Sequence, residues 1–294
     1  MVPAAPGQAD ALRHEGGRTR LLHRDGLPAL SMVEFGPGGP GPGMAGDAPV
    51  LLLHGAYSGA WCWEEGFASA VADRGRHVAA LDLRGRGGSE GRGGLARTSL
   101  DDFVRDLRDA VAVMPSPPVL VGHSLGGYLC QLLLGQVPVR GIVLMGSLPP
   151  DGLAAVGPRL ALTNPKSWLE AIVAAVTRSK AATNLANLGL LFGDGVAPER
   201  IEIYAKRMVP ESPRALAEAH LLRPVSSASL LRIPALVMNG MADKLVWPAT
   251  ALRTSLYHGA EYRTEPDGGH FLMLDTCWPR VASEIGDWLD AQGL

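Results

Sequence analysis

The sequence predicts an α/β fold: a mostly parallel sheet with helices on both faces and a helical cap inserted into the core. Short, wholly apolar runs alternate with helix-like stretches, and one long stretch without a strand pattern interrupts the alternation. A run such as Val50–Leu53 is typical of a strand that is buried on both faces. Of the 294 residues, 47% are apolar and 19% are charged, so the chain can bury a sizeable core.

The elements follow in order along the chain. We expect a loose tail at 1–18, an antiparallel hairpin at 19–35 that turns at Asp25-Gly26, and a Gly/Pro-rich loop at 36–48. The predicted parallel strands lie at 50–53, 77–83, 119–122, 141–145, 235–239 and near 260–264. The predicted helices lie near 63–74, 100–113, 125–136, 248–256 and 278–291.

The interruption at residues 150–231 is predicted to be the helical cap. It divides the core into 19–149 and 232–294. Trp168, Ile172 and Val176 recur at every fourth position and predict an apolar helical stripe. Two more helices are expected at 198–208 and 212–222. Because ligands bind at the carboxyl ends of strands in such sheets, a cap that leaves the sixth strand begins beside the site.

The strongest functional motif is Gly122-His123-Ser124-Leu125-Gly126, a G-x-S-x-G with an apolar strand before it and a helical pattern after it. A serine on such a sharp strand-to-helix turn is exposed to substrate, and small glycines allow the close packing that the turn requires. The helix that follows directs its N-terminal amides towards developing negative charge. Ser124 is therefore the predicted nucleophile.

A second motif, His54-Gly55-Ala56-Tyr57-Ser58-Gly59, follows the third strand. Acyl transfer needs two backbone N–H groups to bind the oxyanion, and we expect them from Ala56 and Leu125, with Tyr57 as the alternative if the turn is shifted. His54 is expected to hold this loop by hydrogen bonds and not to act as a base.

The predicted base and acid follow two later strands. His270 ends Gly268-Gly269-His270, and Asp243 ends Asn239-Gly240-Met241-Ala242-Asp243. Serine needs an adjacent base, and the base needs an acceptor for its other ring nitrogen. The chain order Ser124, Asp243, His270 is the order of α/β-hydrolase triads. Asp275 lies five residues past His270 and is not expected to be the triad acid.

On these motifs the chain resembles the α/β-hydrolase superfamily over residues 20–292. The matching segments, HGAYSGAWCW, LDLRGRGGSEG, GHSLGG, NGMADKLV and GGH, are similar to those of its cofactor-free esterase and lysophospholipase-like branch. The resemblance implies an eight-stranded sheet with a cap over the site. It also implies that Asp82 belongs to a structural turn, and that no nucleophilic aspartate occupies the elbow.

We therefore expect a serine hydrolase that cleaves a carboxylic ester or lactone of a small, largely apolar substrate through an acyl-enzyme. Lactonase, thioesterase or perhydrolase activity on the same triad is the alternative, and a non-catalytic ligand-binding relative is the alternative of another class. Candidate substrate contacts are Tyr57, Trp61, Leu191 and Phe192. The motifs leave the acyl group, the leaving group and the oligomeric state open.

Other function classes find little support in the sequence. The net charge of −2 gives no reason to expect nucleic acid or an anionic membrane as partner. No cofactor is expected: the glycines at 91–94 match a dinucleotide fingerprint only loosely, and the histidines show no metal-binding spacing. Three cysteines, no apolar signal core and no run near 18 apolar residues predict a cytoplasmic protein without a transmembrane helix.

Overall fold

The computed structural model describes residues 17–36, 47–166, 168–170, 173 and 188–294. Most of the predicted tail, most of the Gly/Pro-rich loop and part of the predicted 168–176 helix lie outside these residues. The strands are β1 (Arg18–Arg24), β2 (Leu27–Phe35), β3 (Val50–Leu53), β4 (Val78–Leu81), β5 (Val119–His123), β6 (Gly141–Met145), β7 (Ala235–Gly240) and β8 (Glu261–Glu265).

The eight strands form one sheet in the order β1-β2-β4-β3-β5-β6-β7-β8. The pairs β1·β2 and β2·β4 are antiparallel, and all later pairs are parallel. Gly26 turns the β1–β2 hairpin with a φ of 66°, which a glycine adopts without steric cost. The predicted fold class and the eight-stranded sheet are thereby confirmed.

Helices cover both faces of this sheet. Among the described residues they are α1 (Phe67–Ala72), α2 (Leu100–Ala112), α3 (Leu125–Leu133), α4 (Leu153–Thr163), α5 (Pro198–Arg207), α6 (Pro213–Glu218), α7 (Ala228–Leu231), α8 (Pro248–His258) and α9 (Trp278–Ala291). Short 3₁₀ helices lie at Ala60–Trp63 and Arg92–Arg97. None of the helices in the described part of the chain is both long and apolar enough to cross a bilayer.

Two apolar cores lie on opposite faces of the sheet, and successive residues of a strand face them alternately. In β3, Val50 and Leu52 face one core, while Leu51 and Leu53 face the other. The first core receives α1 and α9, and the second receives α2, α3 and α8. Because β3 is buried on both faces, all four of its residues are apolar.

The chain leaves the sheet after β6 and returns to it at β7, and every described residue between them is helix, turn or loop. Here α5 lies within one residue of its expected bounds, α6 begins one residue late and ends four residues early, and α4 and α7 were not expected. The division of the chain into a core and a cap at 150–231 stays a prediction.

Candidate active site

Ser124 occupies the turn between β5 and α3 in a strained conformation. Its φ of 51° and ψ of −119° lie outside the regions that side-chain-bearing residues prefer. Neighbouring segments hold the turn: the Ser124 N–H donates to Met145 O at 3.1 Å, and Leu148 N–H donates to Ser124 O at 3.2 Å. A strained residue that is held from both sides is typical of a nucleophile elbow.

The glycines around Ser124 are required by packing. A Cβ on Gly122 would lie 2.6 Å from the Cα of Gly127, and one on Gly126 would lie 2.4 Å from the carbonyl oxygen of His54. A Cβ on Gly127 would meet Ser147 Oγ at 2.3 Å. Two of these contacts are with backbone atoms that cannot move independently of the sheet, so the turn admits no side chain there.

His270 and Asp243 form a buried hydrogen-bonded pair. Their Nδ1 and Oδ2 atoms are 2.8 Å apart, and both side chains are almost completely buried. The other oxygen of Asp243 accepts the N–H groups of Leu245 and Val246, each at 2.8 Å. The turn after β7 thus fixes the carboxylate, and the carboxylate in turn fixes the orientation of the His270 ring.

The end of β6 links this pair to the nucleophile. Met145, the last residue of β6, accepts the N–H of Ser124. The next residue, Gly146, has a φ of 49°, and a Cβ there would lie 3.2 Å from His270 Nδ1 and 3.4 Å from Asp243 Oδ2. The turn at the end of β6 therefore lies between Ser124, which follows β5, and the pair of Asp243, which follows β7, and His270, which follows β8.

The loop after β3 lies directly against the nucleophile. A Cβ on Gly55 would be 2.9 Å from the Cβ of Ser124. Ala56 follows Gly55, and Leu125 is the first residue of α3. Within the described part of the chain, neither the Ala56 nor the Leu125 backbone N–H has a hydrogen-bond acceptor. Two free donors beside a nucleophile can bind an oxyanion.

Tyr57, the alternative oxyanion donor, has its N–H engaged elsewhere. That N–H donates to Glu211 Oε2 at 3.3 Å. Burial, together with the charge of Glu211, raises the pKa of the Tyr57 phenol to about 12. The arrangement favours Ala56 over Tyr57 as the partner of Leu125.

Two further histidines lie near the site, and neither is placed as the base. His54 accepts the Leu83 N–H on Nε2 at 3.2 Å, so its Nδ1–H donates to Gly55 O at 2.8 Å. Burial lowers the pKa of His54 to about 3 and keeps it neutral. His54 therefore holds the loop.

His123 has a different neighbour. Its Nε2 lies 3.1 Å from the carbonyl oxygen of His270, and the two rings are 4.7 Å apart. Burial is the largest cause that lowers the pKa of His123 well below its ordinary value. A neutral His123 can donate to the carbonyl of His270 and so help to position the predicted base. The G-x-S-x-G motif in the sequence had not indicated this role for His123.

The other carboxylates near the triad have structural partners. Asp275 is fully buried and accepts N–H groups from Gly193 at 2.7 Å and Gly269 at 2.9 Å. Asp151, which follows β6, pairs outward with Arg253 at 2.7 Å. Neither contact involves the His270 ring, so Asp243 alone has the geometry of the triad acid among these three.

The loop after β4 agrees with the role that the resemblance implies for Asp82. Its carboxylate accepts the N–H of Ala60 at 2.7 Å and that of Gly88 at 3.0 Å, which ties two loops together. The glycines at 91–94 open the 3₁₀ helix Arg92–Arg97, which follows a turn and not a strand. This segment therefore lacks the strand-to-helix junction of a dinucleotide site.

The candidate substrate contacts lie where the segment at 188–193 meets the core. Phe192 stacks on Tyr204 and Phe271, with ring centroids 5.7 and 5.4 Å apart, and is buried. Trp61 stacks on Tyr204 at 6.1 Å. Leu191 is half-buried, and its carbonyl accepts the His270 N–H at 2.7 Å. Their contact with substrate stays a prediction.

A model of the α/β-hydrolase family matches residues 50–284. The chain belongs to this family. The matched segment includes Ser124, Asp243 and His270, together with the loop at Gly55 and Ala56.

Individual known proteins resemble part or all of the chain. Esterase PIR7B of Oryza sativa subsp. japonica is 36% identical over 91 residues, and norfluorocurarine synthase 2 of Strychnos nux-vomica is 34% identical over 106. These alignments cover 30% and 34% of this chain but only 33% and 39% of the relatives. A solved esterase from Thermogutta terrifontis aligns over 94% of this chain and all of its own, with a TM-score of 0.66 and 21% identity. That likeness supports the fold.

Proposed function

We propose that this α/β-hydrolase is a serine esterase that cleaves carboxylic esters of small, largely apolar substrates. The observation that carries the proposal is the contact of His270 Nδ1 with Asp243 Oδ2 at 2.8 Å. This pair lies against Gly146, the residue after Met145, and the carbonyl of Met145 accepts the Ser124 N–H. A binding protein has no need of an oriented histidine beside a strained serine. The named esterase among the relatives supports the same activity class.

The reaction follows from the roles of these groups. Ser124 Oγ attacks the ester carbonyl while His270 accepts its proton, and Asp243 stabilises the resulting imidazolium. The Ala56 and Leu125 N–H groups receive the charge that develops on the carbonyl oxygen. His270 then protonates the departing alcohol, and the same residue activates water to release the acid from Ser124.

The charges around the site favour an uncharged substrate. The three basic side chains of α5 are each within ion-pair distance of a glutamate: Arg200 of Glu65, Lys206 of Glu202 and Arg207 of Glu64. Because each of these cations has a carboxylate beside it, α5 presents no cluster of unpaired positive charge that would favour a phosphate or a coenzyme A tail. Aromatic and aliphatic groups, Trp61, Leu191 and Phe192 among them, supply apolar surface instead.

A fluorophosphonate probe tests the nucleophile. It should label the wild-type protein at one site, and Ser124→Ala should abolish both labelling and turnover of p-nitrophenyl esters. Ser147→Ala, which removes another buried hydroxyl at the end of a neighbouring strand, is the matched control and should still be labelled. Labelling that persists in Ser124→Ala, or a wild-type protein that neither reacts nor turns over esters, contradicts the proposal.

A substrate panel tests the substrate class. We expect the highest kcat/KM on neutral acyl esters, and the panel should include p-nitrophenyl esters of increasing acyl length, a γ-lactone and an acyl-CoA thioester. A clear preference for the acyl-CoA would contradict the proposed class while leaving Ser124 as nucleophile.

A further inference from the structure

The oxyanion loop, residues 54–58, is held on one side by the core. The carbonyl oxygen of Gly55 accepts the ring N–H of His54 at 2.8 Å and the hydroxyl of Ser58 at 3.0 Å. In a trans peptide the carbonyl and the following N–H point in opposite directions. Because the Gly55 carbonyl is held inside the loop, the Ala56 N–H points away from these contacts and stays free.

The next two peptide groups of the loop are held by the segment at 209–211. The Tyr57 N–H donates to Glu211 Oε2 at 3.3 Å, and the Tyr57 carbonyl accepts the Val209 N–H at 3.0 Å. Tyr57 also has a φ of 62°, a left-handed conformation that is unfavourable for a residue with a side chain. Such a conformation persists only where the surroundings determine it, and these two bonds supply that determination.

A buried ion pair fixes the carboxylate that receives Tyr57. Arg86 has no exposed surface, and its guanidinium contacts Glu211 Oε1, while Nη1 donates to the carbonyl of Pro210 at 2.7 Å. The Ser212 N–H also donates to Glu211 Oε1, at 2.7 Å. Both oxygens of Glu211 are thus occupied, one by the ion pair and one by the oxyanion loop.

We propose that Glu211 is a positioning residue for the oxyanion hole, held in place by Arg86 and acting through the Tyr57 N–H. The proposal rests on the proposed esterase function and deepens it, since it assigns a role in catalysis to a segment between β6 and β7. If the hydrogen bond to Tyr57 is lost, the left-handed residue relaxes and the adjacent Ala56 N–H moves away from the reacting oxygen. Removal of one oxyanion donor lowers kcat by about 10²–10³-fold in other hydrolases, so misplacing one should cost about 10-fold or more.

Two double variants separate the hydrogen bond from the charges. Arg86→Met/Glu211→Gln removes both charges but keeps one amide oxygen, for which the Tyr57 and Ser212 N–H groups compete, whereas Arg86→Met/Glu211→Met removes the charges and the acceptor together. Replacing both partners avoids an uncompensated buried charge. We expect kcat on a p-nitrophenyl ester to fall about 10-fold or more in the second variant and clearly less in the first, with KM little changed.

A transition-state mimic supplies a readout that a merely structural role would not change. A trifluoromethyl ketone forms an oxyanion when Ser124 adds to it, so its inhibition constant should rise in the Met/Met variant as much as kcat/KM falls. Glu218→Gln is the control, because Glu218 also accepts a core backbone N–H, that of Leu100 at 2.8 Å, but lies outside the loop contacts. It should alter neither kcat nor inhibition.

Equal kcat values in the two double variants would overturn the proposal. If the Met/Met variant does not fold, amide hydrogen exchange in the wild-type protein decides: the Tyr57 amide should be protected, and exchange as fast as in an unstructured peptide would overturn the assignment. These outcomes differ from a failure of the proposed function. In that case the wild-type protein turns over no ester, or the probe still labels Ser124→Ala.

Discussion

At the scale of single residues, the two buried carboxylates near His270 differ in the groups that they accept. Asp243 accepts the imidazole and two N–H groups of its own turn. Asp275 accepts N–H groups from Gly193 and Gly269, which belong to two different segments. The first arrangement orients a ring, and the second joins the 188–193 segment to the loop that holds His270.

This difference predicts that the same substitution lowers activity at one carboxylate and stability at the other. Asp243→Asn should lower kcat by on the order of 10⁴-fold, since an amide stabilises the wrong tautomer of the base. Asp275→Asn should chiefly lower the thermal midpoint, because it leaves one buried N–H without an acceptor. Steady-state kinetics and thermal unfolding of both variants check this. A larger loss of kcat in Asp275→Asn would reverse the assignment of the acid.

Residues within local motifs could be predicted from the sequence, whereas residues that act through distant partners could not. Ser124, Asp243 and His270 each follow an apolar strand and stand in the chain order of a triad. Glu211 and Arg86 lie 125 positions apart. Arg86 lies in a glycine-rich loop, and Ser212-Pro213 after Glu211 signals only the start of a helix, so no spacing relates the pair.

At the scale of elements, the segment at 188–193 packs against the aromatic core and also contacts the loop that holds His270. Phe192 lies between the rings of Tyr204 and Phe271, and the carbonyl of Leu191 accepts the His270 N–H. A Cβ on Gly269 would lie 2.5 Å from the Phe192 carbonyl carbon, so the segment and the base loop are in direct backbone contact. Side chains of this segment can therefore affect stability, substrate or both.

Alanine substitutions distinguish these effects. Phe192→Ala removes a buried aromatic ring and should cost about 3–5 kcal/mol of unfolding free energy, in addition to any acyl-length-dependent change in kcat/KM that its predicted contact with substrate produces. Leu191→Ala, at a half-buried position, should change kcat/KM differently for short and long esters while Ser124 remains labelled. Kinetics across the ester panel and urea unfolding check both. Uniform changes for Leu191→Ala, in step with stability, would show that it only packs.

The elements that sequence periodicity predicted are those with uninterrupted patterns, such as the strands of the parallel sheet and α9. The helix α4 was not predicted, because Gly157 and Pro158 lie inside it and both disfavour helix interiors. The helix α1 begins later than expected, since Gly66 before it has a φ of 103°. Tertiary packing of α4, whose Val156 is buried in the second core, overrides the local preference there, and a single sequence does not display such packing.

At the scale of the whole molecule, buried neutral histidines join separate parts of the fold. His258, at the end of α8, accepts the Ala228 N–H on Nδ1 at 3.2 Å, so its Nε2–H donates to Gln131 Oε1 at 3.1 Å. Gln131 in turn donates to the carbonyls of Gly127 and Leu148 beside the nucleophile turn. Protonation of His258 would place a second N–H against that of Ala228 and break the first of these contacts.

The last prediction concerns acid sensitivity. Burial lowers the pKa of His258 from 6.5 to about 4, so below pH 6.5 the unfolded chain binds a proton that the folded protein does not. The stability that this histidine contributes is therefore fully present above pH 6.5 and is lost as the pH falls through about 4. Between pH 5.5 and 4.5 the contribution of His258 to the unfolding free energy should fall by about 1 kcal/mol.

Replacing His258 with glutamine should remove this pH-dependent contribution to the unfolding free energy. Urea unfolding of His258→Gln at pH 7, 5.5 and 4.5 should show a slope of stability against pH that is shallower than in wild type by about one proton. His23→Gln, which removes a histidine at an exposed position on β1, is the control. His54, with its pKa lowered to about 3, keeps its own contribution in both variants. An unchanged slope in His258→Gln would mean that His258 takes up its proton in the folded state as readily as in the unfolded chain.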